Sequence, residues 1–232
     1  MTNREIVIAL VSSIVSGFVV WLIQQTYLNR RERRRENEQR TIKARNSERV
    51  VGDDIFHHLG PGNTIDLMKD MFGVANKYRR GDSPVFSEDE VETHTYLYVF
   101  KNAYVKVTSK DNENIDSLTV LCTDDSISIE PYLAVPEEIA GRLGEIMVSP
   151  VLIKSDCKHT FLQTRWDAIF ALGIYTGNPL YLHYTFFGPA HEASFEYRKS
   201  EDPNLFVGAT INGICISESD ESAYFIYLYE LR

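Results

Sequence analysis

Residues Thr95–Thr108 read TYLYVFKNAYVKVT. β-Branched and aromatic residues fill this run, and its alternation has a period of two. Thr95–Phe100 and Ala103–Thr108 therefore read as the strands of a hairpin about Lys101-Asn102. The same pattern extends outward. Asp111–Asn114 reads as the next turn, and Leu118–Thr123 and Ser126–Glu130 follow around Asp124-Asp125. Further on, Leu180–Phe187, Ala193–Ser200, Leu205–Ile211, Ile214–Ser217 and Ala223–Leu231 are strand-like. Asn212-Gly213 predicts a two-residue turn, because both central positions of a type I′ hairpin need positive φ. Ala223–Leu231 sets Tyr224, Ile226 and Leu228 against Phe225, Tyr227 and Tyr229. With both faces apolar or aromatic, it is expected to be central in the sheet or covered on both sides.

Helical signals are fewer. Ser47 is placed to cap a helix over Glu48–Leu59, with Val50, Val51, Ile55, Phe56 and Leu59 on its apolar side and Gly60-Pro61-Gly62 ending it. A second short helix is expected over Thr64–Phe72, stopped by Gly73. Arg79–Glu92 reads as a loop. Pro136 suits the first turn of a helix running to Met147, and Trp166, Ile169, Phe170 and Leu172 suggest another.

At the other end of the chain, Ile6–Ile23 (IVIALVSSIVSGFVVWLI) holds eighteen residues without a charge. As a helix it would reach roughly 27 Å, near the hydrocarbon thickness of a bilayer. No small-residue cleavage site follows it, so a transmembrane helix is favoured over a cleaved signal peptide. The polar run from Tyr27 to Glu48 reads as a solvated basic helix, with Glu32–Arg35 and Glu36–Arg40 at helical spacing. Arg30, Arg31, Arg33, Arg34 and Arg35 set topology by their charge and are candidates for contact with anionic headgroups. One arginine precedes the apolar run and nine Lys/Arg follow within the next 26 residues, which predicts a cytoplasmic C-terminal domain.

The net charge of −9 hides two opposite parts. Residues 1–49 hold ten basic and five acidic residues, leaving 14 basic against 28 acidic in 50–232. A domain that acidic repels phosphate backbones, which argues against nucleic acid as a partner. Three cysteines, Cys122, Cys157 and Cys215, form no disulfide framework.

Candidate chemistry is sparse. Asp53, Asp54, His57 and His58 place two acid–imidazole pairs at i,i+4, a spacing that suits a metal or a general base as well as surface ion pairs. Cys157-Lys158-His159 brings a thiol near an imidazole without any CxxC partner. No phosphate loop, nucleophile elbow or dinucleotide fingerprint occurs. The excess is aromatic, 13 Tyr and 12 Phe, with Tyr96, Tyr98, Tyr181, Tyr224, Tyr227 and Tyr229 on expected strands. Such rows suit a half-buried sheet or a face that grips a partner.

Gly62-Asn63-Thr64, Met68 and Met71-Phe72-Gly73-Val74-Ala75 together resemble the glycine-bounded segment of SmpA/OmlA-type, β-lactamase-inhibitor-protein-like envelope lipoproteins. The resemblance covers about residues 50–125. It implies two short helices before an antiparallel sheet, a scaffold for protein contacts and no catalytic residues. It departs from that family in having no lipobox cysteine, Ala75 where proline is usual, and an expected cytosolic side in place of the periplasm.

Taken together, the sequence predicts an α+β fold: a transmembrane anchor over 1–26, a basic helical stalk over 27–48, then a mainly antiparallel sheet domain with a few short helices. Two modules are expected within that domain, a helix-helix-sheet over 49–130 and a β-meander over 131–232. The function expected is that of a single-pass bacterial inner-membrane protein without cofactor or catalysis, contacting the bilayer and binding a ligand, another protein or a second copy of itself. The alternative is a membrane-tethered hydrolase or nucleotide-signal effector using His57/His58 or Cys157/His159.

Overall fold

The computed structural model describes residues 48–82, 92–123, 127–129, 141–154, 158–163, 168–176, 182–189 and 202–218. The chain divides into two compact units, Met1–Lys43 and Ala44–Arg232. The first lies outside the described residues, and all that follows concerns the second.

Among the described residues, that unit is built on one antiparallel sheet of eight strands. Its first half is β1 (Lys77–Asp82), β2 (Glu92–Val99), β3 (Ala103–Ser109) and β4 (Ser117–Cys122). A small ladder of β5 (Ser128–Ile129) with β6 (Gly141–Arg142) stands apart from it. The second half is β7 (Lys158–Gln163), β8 (Ala168–Thr176), β9 (Leu182–Pro189) and β10 (Gly213–Ser217). The spatial order is β1-β2-β3-β4-β10-β9-β8-β7. Each half is thus a meander, and β10 closes the gap, pairing Ile214 with Val120 on one side and with Phe186 on the other.

The helices are α1 (Ile55–His58), α2 (Ile65–Phe72) and α3 (Pro150–Lys154), with a 3-10 turn at Pro203–Phe206. Ile55, Leu59, Ile65, Met68 and Phe72 join Tyr98, Val105, Val107, Val120, Leu172, Phe186 and Ile214 of the sheet in one core. On the opposite face Leu121, Ala171, Phe187 and Cys215 form a second, smaller cluster. Every position of β4 and β10 is consequently buried.

Local chemistry explains the hairpins that the pattern predicts. The Phe100 N–H donates to the Ala103 carbonyl (2.8 Å), closing the turn about Lys101-Asn102. Asn102 is buried and pairs its amide with both backbone groups of Val51, at 2.8 and 2.9 Å. At the next turn the Asp111 carboxylate accepts from the N–H groups of Glu113 (2.7 Å) and Asn114 (2.8 Å). Asn112 takes the positive φ there, 62°, which asparagine tolerates better than most residues.

The fold class is corrected by the structure. In place of an α+β domain behind a transmembrane helix and helical stalk, the described residues form a mainly antiparallel β protein with three short helices. No helix among them is long and apolar enough to cross a membrane. Ile6–Ile23 and the basic run up to Ser47 lie outside the described residues. Several expected helices shrink or vanish, each for a physical reason. Of Glu48–Leu59 only one turn, α1, is helical, and Val51 is instead tied to Asn102. The end of the expected Pro136–Met147 helix contains β6 and a turn, because Gly141 and Gly144 take φ of 153° and 96°. Ile169–Leu172 lies in β8, where pairing to β7 and β9 overrides the helical spacing. The loop expected over Arg79–Glu92 begins and ends as strand, because Lys77–Asp82 pairs with Glu92–Leu97.

Asn212-Gly213 is not a turn. Gly213 opens β10, and Asn212 bridges the two halves: its N–H donates to Phe187 (3.1 Å) and its carbonyl accepts from Cys122 (2.8 Å). Leu205–Ile211 is irregular after the 3-10 turn, apart from a bridge between Thr210 and Met147. Ala193–Ser200 and Ala223–Leu231 lie outside the described residues.

Candidate functional site: a tyrosine-walled groove

Helix α2 begins and ends on chemistry that its sequence supplies. The Thr64 hydroxyl accepts from the Leu67 N–H (3.2 Å), and Gly73 leaves the helix at φ 71°, ψ −144°, a region open to little but glycine. Arg49 clamps that end. Its guanidinium donates to the carbonyls of Phe72 and Met71, both at 2.9 Å, two of the groups a helix C-terminus leaves unpaired. It also lies 5.9 Å from the centre of the Phe100 ring.

From Gly73 the chain crosses to β1 through Val74, Ala75 and Asn76. The Asn76 side-chain oxygen accepts from the Val99 N–H (2.8 Å), fixing the crossing to β2. The turn out of the helix and the sheet beneath it leave a groove of about 360 Å³, walled by Lys69, Gly73, Val74, Ala75, Tyr78, Tyr96 and Tyr98. Tyr98 is its buried floor, donating to the Gly73 carbonyl (3.3 Å) and packing 5.2 Å from Phe72. Tyr96 sits directly opposite Tyr78 in the ladder, ring centres 5.0 Å apart. The Tyr96 hydroxyl donates to Asn112, and the Tyr78 hydroxyl lies 2.7 Å from His94 Nδ1. At the mouth, Val74 and Tyr78 remain 68% and 51% exposed.

Burial pushes the phenols of Tyr96 and Tyr98 upward from their ordinary range, so both stay protonated donors at neutral pH. Among the described residues of the wall the basic group is Lys69, whose Nζ lies 6.0 Å above the Tyr96 ring and 3.3 Å from Asp66. The groove is therefore aromatic and apolar with a cation at its rim, suited to holding an apolar group.

The residues singled out in the sequence do not converge here. His58 Nε2 meets Asp54 at 3.2 Å, as the i,i+4 spacing predicts, but both side chains are more than half exposed. His57 is its neighbour, ring centres 6.2 Å apart, and Asp53 is exposed in the turn before α1. His159 is exposed on β7, a separate element, while Cys157 and Arg30 to Arg35 lie outside the described residues. Among the described residues no three His, Cys, Asp or Glu side chains gather to hold a metal. Cys122 and Cys215 are buried thiols. Cys215 accepts from the Thr119 hydroxyl (3.2 Å), and burial pushes its thiol up to about 11, which leaves it unreactive.

Tyr96 and Tyr98 were legible as sheet aromatics. Lys69 and Tyr78 carried no comparable signal, and Val74 and Ala75 entered only through the resemblance, although Lys77-Tyr78-Arg79 does alternate polar with aromatic. Neither family models, curated proteins nor solved structures match the chain, so the groove is interpreted from its own geometry.

Proposed function

We propose that this chain is a membrane-anchored, non-catalytic interaction protein of the inner membrane, whose acidic cytoplasmic unit takes its partner in the groove beside α2. One observation carries the reading: an apolar cleft floored by buried Tyr98 keeps Tyr78 and Val74 in water at its mouth. Exposed apolar surface with a few polar groups at its edge is where proteins bind apolar parts of their partners. The bilayer side of the proposal comes from the sequence, from the uncharged run 6–23 and the bases that follow it. The likeness of residues 50–125 to SmpA/OmlA-type domains, whose implied role is protein contact, points the same way. A protein or a second copy of the chain fits better than nucleic acid, given 28 acidic against 14 basic residues in 50–232.

The test uses intact cells. A photo-reactive benzoylphenylalanine in place of Tyr78 should give a discrete protein adduct in the membrane fraction, and one in place of exposed Tyr175 on β8 should give none. Equal adducts at both positions, or none at Tyr78, would contradict the groove. An alkaline phosphatase fused after Arg232 should be inactive; an active fusion would place the unit on the other side of the membrane.

A further inference from the structure

We infer that the groove's occupant is an extended peptide segment in which apolar and acidic residues alternate, added to the sheet alongside β1. The inference deepens the groove reading and depends on it. β1 stands first in the sheet order, so β2 pairs with one edge of its backbone and no described strand pairs with the other. Such an edge offers main-chain hydrogen bonds to an incoming strand, whose successive side chains then fall on opposite faces of the sheet.

The two faces of β1 ask for different chemistry. On one, Tyr78 opposes Tyr96 and opens onto the groove, which receives the apolar side chains. On the other, Lys77 opposes Leu97 and Arg79 opposes Thr95, and both bases are exposed. Lys77, Arg79 and Arg80 place three bases within four residues of a unit whose charge is otherwise strongly acidic. Acidic side chains at every second position of the ligand would meet Lys77 and Arg79, while the rest of the surface repels them. Arg80, on the Tyr78 face, is held by both carboxylate oxygens of Glu92, which marks where the apolar part of that face ends. At about 360 Å³ the groove is near the small end of ligand pockets, in keeping with a side chain or two rather than a large cofactor.

Fluorescence anisotropy with the full chain in detergent tests this. The probe is a fluorescein-labelled heptapeptide alternating glutamate and valine, which should bind saturably. A peptide of the same composition with its glutamates in one block, and one with lysine for glutamate, should bind about tenfold or more weakly. Methylating one alternate set of backbone nitrogens should abolish binding, and methylating the other set should leave it intact, since only one edge of the ligand meets β1. In the chain, Lys77→Glu with Arg79→Glu should also weaken binding about tenfold, and Val74→Glu, at an open surface position, should do so even where Tyr78→Ala disturbs folding.

No binding of the alternating peptide, or equal binding of the blocked or of both methylated peptides, overturns strand addition. Binding that Val74→Glu and Tyr78→Ala abolish, but neither methylation affects, overturns strand addition and keeps the groove. Binding that none of the chain variants alters overturns both.

Discussion

At the scale of single residues, two glycines let the second half of the sheet pack closely by having no side chain. A Cβ on Gly213 would stand well inside contact distance of the Phe187 ring. One on Gly188 would run into the Thr210 carbonyl and come within 2.9 Å of Phe170. A ring can turn, but a backbone carbonyl in a packed sheet cannot. Gly213→Ala is expected to cost about 1–3 kcal/mol and Gly188→Ala more, by urea denaturation of the full chain in detergent. Adding Phe187→Ala to Gly213→Ala should cost less than the two changes summed, because the ring that clashes is gone. Strict additivity would show that the ring and Gly213 do not meet.

The same pair of residues shows why the sequence misled at Asn212-Gly213. The dipeptide's glycine is needed for close approach and not for positive φ, and a hairpin motif cannot distinguish the two uses. Titration is also a residue-scale matter. Backbone donation from Asn114 and Glu113 holds the Asp111 carboxyl well below the usual range. A depressed folded-state value adds stability that is present above the unfolded value, about 3.9, and is lost as pH falls towards the folded one. Burial raises Asp116, so its contribution has the opposite sign. Asp111→Asn should therefore flatten the loss of stability below about pH 4, and Asp116→Asn should remove a gain in stability that sets in as pH falls towards about 4 from above, in urea midpoints taken by circular dichroism. Parallel curves for both variants would contradict the assignment.

At the scale of elements, α2 and the β2–β3 hairpin were legible because their signals are local. Thr64 and Gly73 mark the helix ends, and the period-two run about Lys101-Asn102 marks the strands. Elements whose state depends on distant partners were not legible. Ile169–Leu172 has helical spacing, yet pairing to β7 and β9 makes it strand. Lys77–Asp82 is polar throughout but for Tyr78 and Gly81, and only β2 makes it a strand. The groove depends on both ends of this logic, on a local cap and on a non-local strand. Thr64→Ala should cost about 1 kcal/mol through the lost cap alone. Gly73→Ala should cost about 1–3 kcal/mol through its backbone conformation, and should also weaken whatever the groove binds, since Gly73 is part of its wall. If Thr64→Ala weakened binding as much as Gly73→Ala at matched stability, the wall's shape would not be what the ligand senses.

At the scale of the whole molecule, the sheet takes β1 to β4 from residues 77–122 and β7 to β10 from 158–217. The last of these strands is placed between the two meanders, so the fold is completed late in the chain and by long-range pairing. The period-two alternation pointed to antiparallel strands; it could not foretell the insertion of β10, which no periodicity encodes. The acidic charge of this unit is likewise global, and it gives the basic β1 its meaning as the place where an acidic ligand is drawn in.

We propose the tyrosine groove beside β1 as the binding surface. Fluorine NMR of the full chain in detergent, labelled with 3-fluorotyrosine, tests it most directly. The Tyr78 signal is assigned by its loss in Tyr78→Phe, and exposed Tyr175 on β8 serves as the internal control. Titration with the alternating glutamate–valine heptapeptide should shift the Tyr78 signal saturably and leave Tyr175 in place. An unmoved Tyr78, or a Tyr175 shift of the same size and midpoint, would contradict the claim.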